Sequence, residues 1–491
     1  MSIGKVATSK ISVAGSQTFV KKRISDTHLK LGIIPVVFDF YDNPYPRLRS
    51  DLWRFFSQVA SDLNKTNLSI LASDIASGKD EIQKASQLLS GENVDILLLA
   101  HLCYVPSGQI APILLDHKVP LLLWSAQPEM QLNPEYLDGN AILMNHSVHG
   151  TMDIANVLNR HSRKYGVISG HWQNEKFIAE LHQWVQAGCV LRKMVEANPL
   201  VLGGRFKDML DLQLEHEDFI QELGVKKTII DLQEYVDLVN MVDESLVQDR
   251  VQYYTHLFDL DKTLSPQLAR KSAKNELALR QLLKRYQSRA IGVNFVNLIN
   301  QTEVADPLHV AVSILMSEGV GYGAEGDWET AMMMSALQLA LGPKCVGFTE
   351  IFSVDYVNQR LLLKHWGEGN ISLAWEKPRL AYSELDNIKK MEFAVCDFQY
   401  KPGVYTLLNL TANNKSEGQL VSIPGVVEAV KLPSCGGVRA MFKPERGGIE
   451  KLLADYSYLG GGHHLVIMKG DMDSVCKKIS ILAGWNYFNL R

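Results

Sequence analysis

The chain has 491 residues, of which 46% are hydrophobic, and this length predicts roughly two to four domains rather than a single core. The 50 Lys and Arg residues nearly balance the 54 Asp and Glu residues, which leaves no global basic field to hold nucleic acid or an anionic membrane. We therefore expect the partners to be neutral small molecules or other subunits, with no nucleic acid and no membrane.

The cysteines and the N-terminal segment indicate where in the cell the protein is located. Six cysteines are widely scattered without a CxxC motif, which is typical of reduced thiols in a cytoplasmic protein. No apolar run reaches the roughly 18 residues that a membrane helix needs. Residues 1–25 are polar and basic and lack the apolar segment of a secretory signal. We interpret them as a flexible arm or a packing strand rather than a transit peptide, and we predict a cytoplasmic location.

Strand-like and helix-like segments alternate from Leu29 onward. The predicted strands are near-continuous apolar runs, as in a buried parallel sheet, at residues 29–42, 67–73, 94–101 and 119–126. The segments predicted to cross between them lie at residues 49–63, 78–91 and 107–118. This alternation predicts a doubly wound α/β domain. Its ligand crevice should lie at the carboxyl ends of the strands, where Asp39, Tyr41, His101 and Gln127 are found.

Two further regions follow. A strand at 165–172, a long helix at 174–194 and helices near 243–257 and 265–285 indicate a second α/β region. After a break at 341–345, strands dominate and indicate an antiparallel sheet or barrel. Those strands are predicted at 360–366, 372–375, 391–400, 403–412, 418–430 and 436–442. We predict an N-terminal α/β domain at 1–170, a central α/β domain at 171–343 and a C-terminal β-rich domain at 344–491.

The stretch GYGAEGDWE (321–329) has the G-x-G-x-x-G spacing of a dinucleotide-binding loop. Such a loop must follow a strand, whereas apolar residues recur at helical spacing in 310–315, so we expect a loop between two helices, or between a helix and a short turn. Glu325 would also repel a pyrophosphate, and we predict no nucleotide cofactor. Flanking glycines instead leave room for a carboxylate, and Asp327 can cap the helix that follows.

Four more candidate metal ligands lie in segments whose sequence is unusual for a purely structural strand or loop. They are Glu350 in FTEIFSVDY, His365 at the end of a strand, and His463 and His464 after three glycines. Adjacent side chains in a strand point to opposite faces, so at most one of the paired histidines should point into a given site from the strand itself. Two Glu and two His make a mixed oxygen and nitrogen site for a divalent ion, since carboxylates favour Mn²⁺ or Mg²⁺ and imidazole favours Mn²⁺, Co²⁺ or Fe²⁺. Taken singly, each of these residues is more often a surface acid or a core histidine.

Several separated motifs, taken together, resemble the L-arabinose isomerases of the broader arabinose/fucose isomerase superfamily. GYGAEGDW resembles the segment G-[FY]-[AG]-x-E-G-D-W, FTEIFSVDY the second-Glu segment, KHW the strand with the metal-binding His, and GGGHHLV the GGAHH run. Further similar segments lie at 149–150, 170–173, 204–209 and 376–378. The resemblance extends from about residue 94 to the C-terminus.

The resemblance implies an α/β fold with a flavodoxin-like doubly wound N-terminal domain, a second α/β domain and a C-terminal antiparallel β-barrel-like domain. It implies a metal ion, Mn²⁺, held by Glu325, Glu350, His365 and His464. It also implies a homo-oligomer, a hexamer or tetramer, in which the N-terminal domain of a neighbour helps to close the site.

The sequence also departs from the family pattern. The Lys that follows G-D-W in the family is Glu329 here, and the D-Y-T-Y that follows the second Glu reads IFSV. PVVFDFYDNPYP (35–46) stands where the family has G-S-Q-H-L-Y-G. The N-terminal domain supplies sugar contacts in this family, so this divergence bears on the substrate. We predict substrate contacts from Tyr41 and Gln127, and from His463.

The function implied is metal-dependent aldose–ketose isomerisation through a cis-enediol, with L-arabinose and L-ribulose as the first candidate pair. Glu350 is predicted to move the carbon proton and Glu325 to serve the sugar oxygens, and a hydride shift between C1 and C2 is the chemical alternative. Other functions compatible with the motifs are an isomerase for another sugar such as L-fucose or D-arabinose, a non-catalytic sugar-binding relative, and metal-assisted hydrolysis.

Overall fold

The computed structural model describes residues 29–212, 218–385 and 391–491, so the basic segment 1–25 lies outside the described residues. The chain divides into two compact units, Met1–Cys189 and Val190–Arg491. The predicted division into three domains stays a prediction. Across the described ranges, no helix has both the length and the apolar character required to cross a membrane.

The first unit is built on a parallel sheet. Its strands are β1 (Lys30–Val37), β2 (Ser69–Ala72), β3 (Ala76–Ser77), β4 (Ile96–His101), β5 (Leu121–Ser125) and β6 (Gly166–Ile168). They lie in the order β2-β1-β4-β5-β6, and β3 also pairs with β1. β4 is buried along its whole length, as its near-continuous apolar sequence predicts, and its last residue, His101, is buried as well.

Helices connect these strands. They are α1 (Leu48–Leu63), α2 (Gly78–Gly91), α3 (Ser107–Leu114), α4 (Gly139–Met144), α5 (Val148–Arg160) and α6 (Glu175–Glu196). In α1, the buried residues Leu52, Phe56, Val59 and Leu63 recur at helical spacing and form the face that meets the core. The predicted α/β architecture with a parallel sheet is therefore confirmed.

The second unit contains another parallel sheet. Its first strands are β7 (Leu200–Leu202), β8 (Thr228–Ile230), β9 (Asp259–Leu260), β10 (Ala290–Val293) and β11 (Gly321–Ala324). Four of them form the sheet in the order β11-β10-β7-β8. The accompanying helices are α7 (Asp218–Gln221), α8 (Leu232–Asn240), α9 (Glu244–Leu257), α10 (Pro266–Arg285), α11 (Phe295–Gln301), α12 (His309–Ser317) and α13 (Trp328–Leu341). The helices predicted near 243–257 and 265–285 are α9 and α10.

Antiparallel strands dominate the rest of the chain. They are β12 (Val346–Asp355), β13 (Arg360–Lys364), β14 (Arg379–Leu385), β15 (Met391–Gln399), β16 (Gly403–Ala412), β17 (Gly418–Val427), β18 (Val438–Pro444), β19 (His464–Lys469) and β20 (Asn486–Asn489), with helices α14 (Ile449–Tyr458) and α15 (Asp473–Ala483). The sheet order is β20-β17-β16-β19-β12-β13-β18-β15-β14-β9, and an additional β17–β18 pairing closes the six strands from β17 to β18 into a barrel. The predicted β-barrel-like domain is confirmed.

Two local expectations can be compared with the structure. The strand predicted at 372–375 is wrong, because Ile371–Leu373 forms a 3-10 turn that begins at the Asn370 cap. The Asn370 side chain accepts a hydrogen bond from the Ser372 amide, and this local bond competes with strand pairing. All six cysteines are free thiols, as expected, and four of them are buried.

Candidate metal centre

The GYGAEGDWE stretch forms a strand and the start of a helix, so the predicted loop between two helices is wrong. Its first four residues are β11, which pairs in parallel with β10. A Cβ atom at Gly321 would lie 1.9 Å from the carbonyl oxygen of Ala331, and one at Gly323 would lie 1.8 Å from that of Asp327. Glycine is therefore required for α13 to pack this closely on β11, and so short a strand shows no clear two-residue period.

Glu325 and Asp327 lie in the turn between β11 and α13. Glu325 is buried and has φ +59°, in the left-handed region that residues with a Cβ atom rarely adopt. Asp327 caps α13 as predicted, because its Oδ1 accepts a hydrogen bond from the Thr330 amide at 2.8 Å. This turn brings Glu325 Oε2 to 3.3 Å from His463 Nε2 and 3.4 Å from His464 Nε2.

Three neighbouring strands of the barrel each position one further candidate ligand. Glu350 in β12 lies directly opposite His464, the first residue of β19, and His365 follows the last residue of β13. One ligand atom from each of these three residues lies within 4.8 Å of the others. Phe348, on the same face of β12 as Glu350, packs edge-on against the rings of His365 and His464 at 5.2 and 4.9 Å. The strand register therefore sets the spacing of these ligand atoms.

The predicted ligands fall into two overlapping groups within the part of the chain that the structure describes. One group holds Glu350, His365 and His464, and the other holds Glu325, His463 and His464. His463 lies just before β19 and so outside the strand. The rule that adjacent strand residues face opposite sides does not apply to it, and both histidines can face the same site. His464 belongs to both groups and is the residue that joins them. The four-residue ligand set stays a prediction, and the geometry adds His463 as a candidate.

Each of the three imidazoles donates a hydrogen bond from Nδ1 to a carboxylate. The pairs are His464 with Asp327 at 2.9 Å, His365 with Glu368 at 2.5 Å and His463 with Asp211 at 2.5 Å. A carboxylate on Nδ1 fixes the ring and leaves Nε2 for a metal ion. His464 Nε2 is buried, and its nearest acceptor, Glu325 Oε2 at 3.4 Å, does not satisfy it with a well-formed hydrogen bond, which leaves it available to a metal ion. The donor set therefore fits a divalent cation.

The two candidate glutamates differ in electrostatic environment. Burial raises the pKa of Glu350, and the neighbouring imidazoles offset this only in part. Burial also acts to raise the pKa of Glu325, but His463 and His464 outweigh it and hold the pKa well below its usual value. Burial alone would lower the pKa of His463, whereas Asp211 and Glu325 raise it to about 10. Before a metal ion binds, Glu350 is therefore the more basic of the two carboxylates.

Tyr41 and Gln127, which the sequence predicts as sugar contacts, lie in the first unit after β1 and β5, respectively. The Tyr41 ring packs edge-on against Phe38 at 5.6 Å, and Gln127 Nε2 donates a hydrogen bond to the Glu129 carbonyl oxygen at 2.8 Å. Both follow the carboxyl end of a parallel strand, where ligands of such sheets bind. Their roles as sugar contacts, like that of His463, stay predictions.

Sequence reasoning missed the carboxylates that hold the imidazoles. Glu368 lies three residues after His365, so a His-x-x-Glu spacing was present as a local signal. Asp211 lies 252 positions from His463, and only the tertiary fold brings the two together. Asp327 was predicted as a helix cap alone, although its second oxygen holds an imidazole.

Replacing Asp327 by asparagine is expected to weaken metal binding while the protein stays folded. Asparagine caps a helix as well as aspartate does, but it lacks the charge that binds His464 Nδ1. We expect the Kd for Mn²⁺, measured by isothermal titration of metal-free protein, to rise about 10- to 100-fold. The Asp327→Ala variant should lose about 1 kcal/mol of stability as well, because the cap is removed. An unchanged Kd in the asparagine variant would mean that Asp327 serves only as a cap.

Comparison with known proteins gives a consistent result. Two family models match the chain, described as the L-arabinose isomerase N-terminal domain over residues 55–196 and the L-arabinose isomerase central domain over residues 218–341. The chain is 25% identical over 360 residues to a protein named L-arabinose isomerase from Thermotoga neapolitana, which covers 71% of each chain. It is 24% identical over 415 residues to a protein of the same name from Clostridium beijerinckii, which covers 83% of each. The second family match includes Glu325 and Asp327.

Proposed function

Because the chain belongs to the L-arabinose isomerase family, we propose that it is a metal-dependent aldose–ketose isomerase that interconverts L-arabinose and L-ribulose. The proposal includes Mn²⁺ as the ion, with Co²⁺ or Mg²⁺ as alternatives, and a homo-oligomeric assembly. A small-molecule sugar is the substrate that this family implies.

One observation carries the proposal. Glu350, His365 and His464 converge from adjacent strands, and both imidazoles present Nε2 because a carboxylate holds Nδ1. With Glu325 as a fourth ligand, a divalent ion bound here would polarise a sugar carbonyl and stabilise negative charge on the neighbouring oxygens. Glu368 and Asp327 would keep the two rings oriented for this task.

The glutamates would move the protons. An aldose and its ketose differ by one proton moved from C2 to C1 and one moved between O1 and O2. Glu350 would take the C2 proton as a general base and return it to C1 as an acid, through a cis-enediol. Glu325 would exchange the proton between the two oxygens, and His463, 3.3 Å away, would orient its carboxylate.

A different sugar is the second candidate, and the segment at 35–46 favours it. This segment lies at the carboxyl end of β1, where the sequence departs from the family pattern, and it exposes the aromatic ring of Phe40. L-Fucose or D-arabinose would use the same proton transfers with a changed set of sugar contacts. A sugar-binding relative without turnover would bind the same ligands but yield no ketose.

A substrate panel tests the proposed function. Purified protein, stripped of metal and resupplied with Mn²⁺, would be incubated with each aldopentose and 6-deoxyaldohexose, and the ketose produced would be measured. We expect the highest kcat/KM with L-arabinose and loss of activity after chelation. Activity on another sugar alone would show that this sugar, and not L-arabinose, is the substrate. Absence of ketose from every sugar, with metal bound, would contradict the isomerase function.

A further inference from the structure

The loop at residues 203–206, which follows β7, packs on the turn that carries Glu325. The Phe206 amide donates a hydrogen bond to the carbonyl oxygen of Glu325 at 2.9 Å. Gly326 has φ +85°, and a Cβ atom there would lie 2.3 Å from the carbonyl oxygen of Gly204. The loop therefore contacts the main chain of Glu325 and of the residue after it.

Arg205, in the same loop, reaches Glu329 in the first turn of α13. Arg205 Nη2 donates a hydrogen bond to Glu329 Oε1 at 2.5 Å, and the Glu329 side chain is buried. Burial raises the pKa of Glu329 to about 8, and the nearby Asp327 adds to this rise. The carboxyl group offers an acceptor oxygen to Arg205 in either ionisation state. The loop is thus attached to segment 325–329 at two points, one on the main chain and one on a side chain.

The conformation of Glu325 requires such support. A residue with a Cβ atom at φ +59° is strained, and it keeps this conformation only when its surroundings fix it. We propose that Arg205 and Glu329 are positioning residues, which hold the 203–206 loop against the turn and so keep the Glu325 carboxylate directed at the paired histidines. This inference rests on the proposed function, in which Glu325 binds the metal ion.

The Arg205–Glu329 pair distinguishes this chain from the family pattern. Position 329 is Lys in the family segment that the sequence resembles, and here it is Glu. A lysine at this position would bring an ammonium group against the Arg205 guanidinium in a buried site, where like charges repel strongly. In this chain the acid at position 329 supplies the acceptor for Arg205, which a lysine would not supply.

Glu329→Lys tests the inference, with Glu329→Gln as the conservative variant, since glutamine keeps an acceptor for Arg205. Glu318→Lys is the control, because it makes the same charge change in an exposed pair with Arg280. Isothermal titration with Mn²⁺ alone would give the metal affinity of each metal-free protein. Hydrogen exchange at the Phe206 amide would report its bond to Glu325 directly.

We expect Glu329→Lys to weaken Mn²⁺ binding about 10- to 100-fold and to expose the Phe206 amide to exchange. The other two variants should stay within about threefold of the wild type.

The outcomes separate the two proposals. Wild-type affinity and a protected Phe206 amide in folded Glu329→Lys would overturn the positioning role alone. A wild-type protein that binds no Mn²⁺ would overturn both the positioning role and the proposed metal site. Should Glu329→Lys fail to fold, Arg205→Lys keeps the positive charge but loses the planar guanidinium. Unchanged Mn²⁺ affinity and exchange in Arg205→Lys would also overturn the proposal, whereas a several-fold loss of affinity that leaves the melting temperature unchanged would support it.

Discussion

Replacing Glu350 by glutamine is expected to lower kcat by at least about 10²-fold, the usual scale for removing a general acid–base group. Glutamine keeps the shape of the side chain and one ligand oxygen, but it cannot accept the C2 proton. Glu350 stands in the middle of β12, opposite His464, so the substitution should leave the barrel intact. Steady-state kinetics with L-arabinose would give kcat, and thermal denaturation would confirm the fold.

Two further measurements make this result specific to proton transfer. Glu450→Gln, at an exposed residue in the first turn of α14, removes a carboxylate of the same unit away from the site and should keep wild-type kcat. Proton transfer through Glu350 also predicts that solvent deuterium enters the ketose at C1, whereas a hydride shift would retain the substrate hydrogen. Turnover of Glu350→Gln within a few fold of wild type would remove Glu350 from the proton-transfer role.

Replacing His464 by alanine is expected to weaken Mn²⁺ binding by at least about 10²-fold, more than the loss that follows removal of an outer-shell partner. The reason is that His464 belongs to both ligand groups and keeps a buried Nε2 without a hydrogen bond. Activity should fall with metal occupancy. Metal content after dialysis, measured by mass spectrometry, would give the result directly.

His463→Ala is the matched control for His464→Ala, because the two histidines are adjacent. His463 is half-buried and belongs to one ligand group, so its loss should weaken metal binding by about tenfold, the low end for an outer-shell partner. The reverse order, with stoichiometric metal in His464→Ala and loss in His463→Ala, would transfer the ligand role to His463. Glu325 and His463 would then belong to the metal site, and His464 would not be a ligand.

The fold could be predicted where the sequence carries a clear period. The predicted helices at 243–257 and 265–285 agree with α9 and α10 to within one residue, and Asp243 and Ser265 cap the starts of these helices. The strand β11 could not be predicted from side-chain alternation. Gly321 and Gly323 have no side chains to show that alternation, and they are there because α13 packs closely on the strand. The 3-10 turn at Ile371–Leu373 was missed for a different reason, since a single side-chain bond from Asn370 decides its conformation.

The site could be predicted only in part. Glu325, Glu350, His365 and His464 stand in short motifs whose glycines and strand ends mark them in the sequence. Two of the groups that orient these residues, Asp211 and Arg205, carry no such mark. Arg205 meets Glu329 across 124 positions, and this contact exists only because β7, β10 and β11 lie side by side.

The closed barrel has a consequence for the energetics of metal uptake. β19, β12 and β13 lie side by side within a ring of strands, and the β17–β18 pairing completes that ring. In a closed barrel, one strand cannot slip in register unless its neighbours move as well, because tilt and stagger are linked around the ring. The main-chain positions of Glu350, His365 and His464 are therefore set by the barrel before any ion binds. Binding should then involve little loss of conformational entropy, as in a rigid macrocyclic chelator, where preorganised donors favour a tight and selective complex.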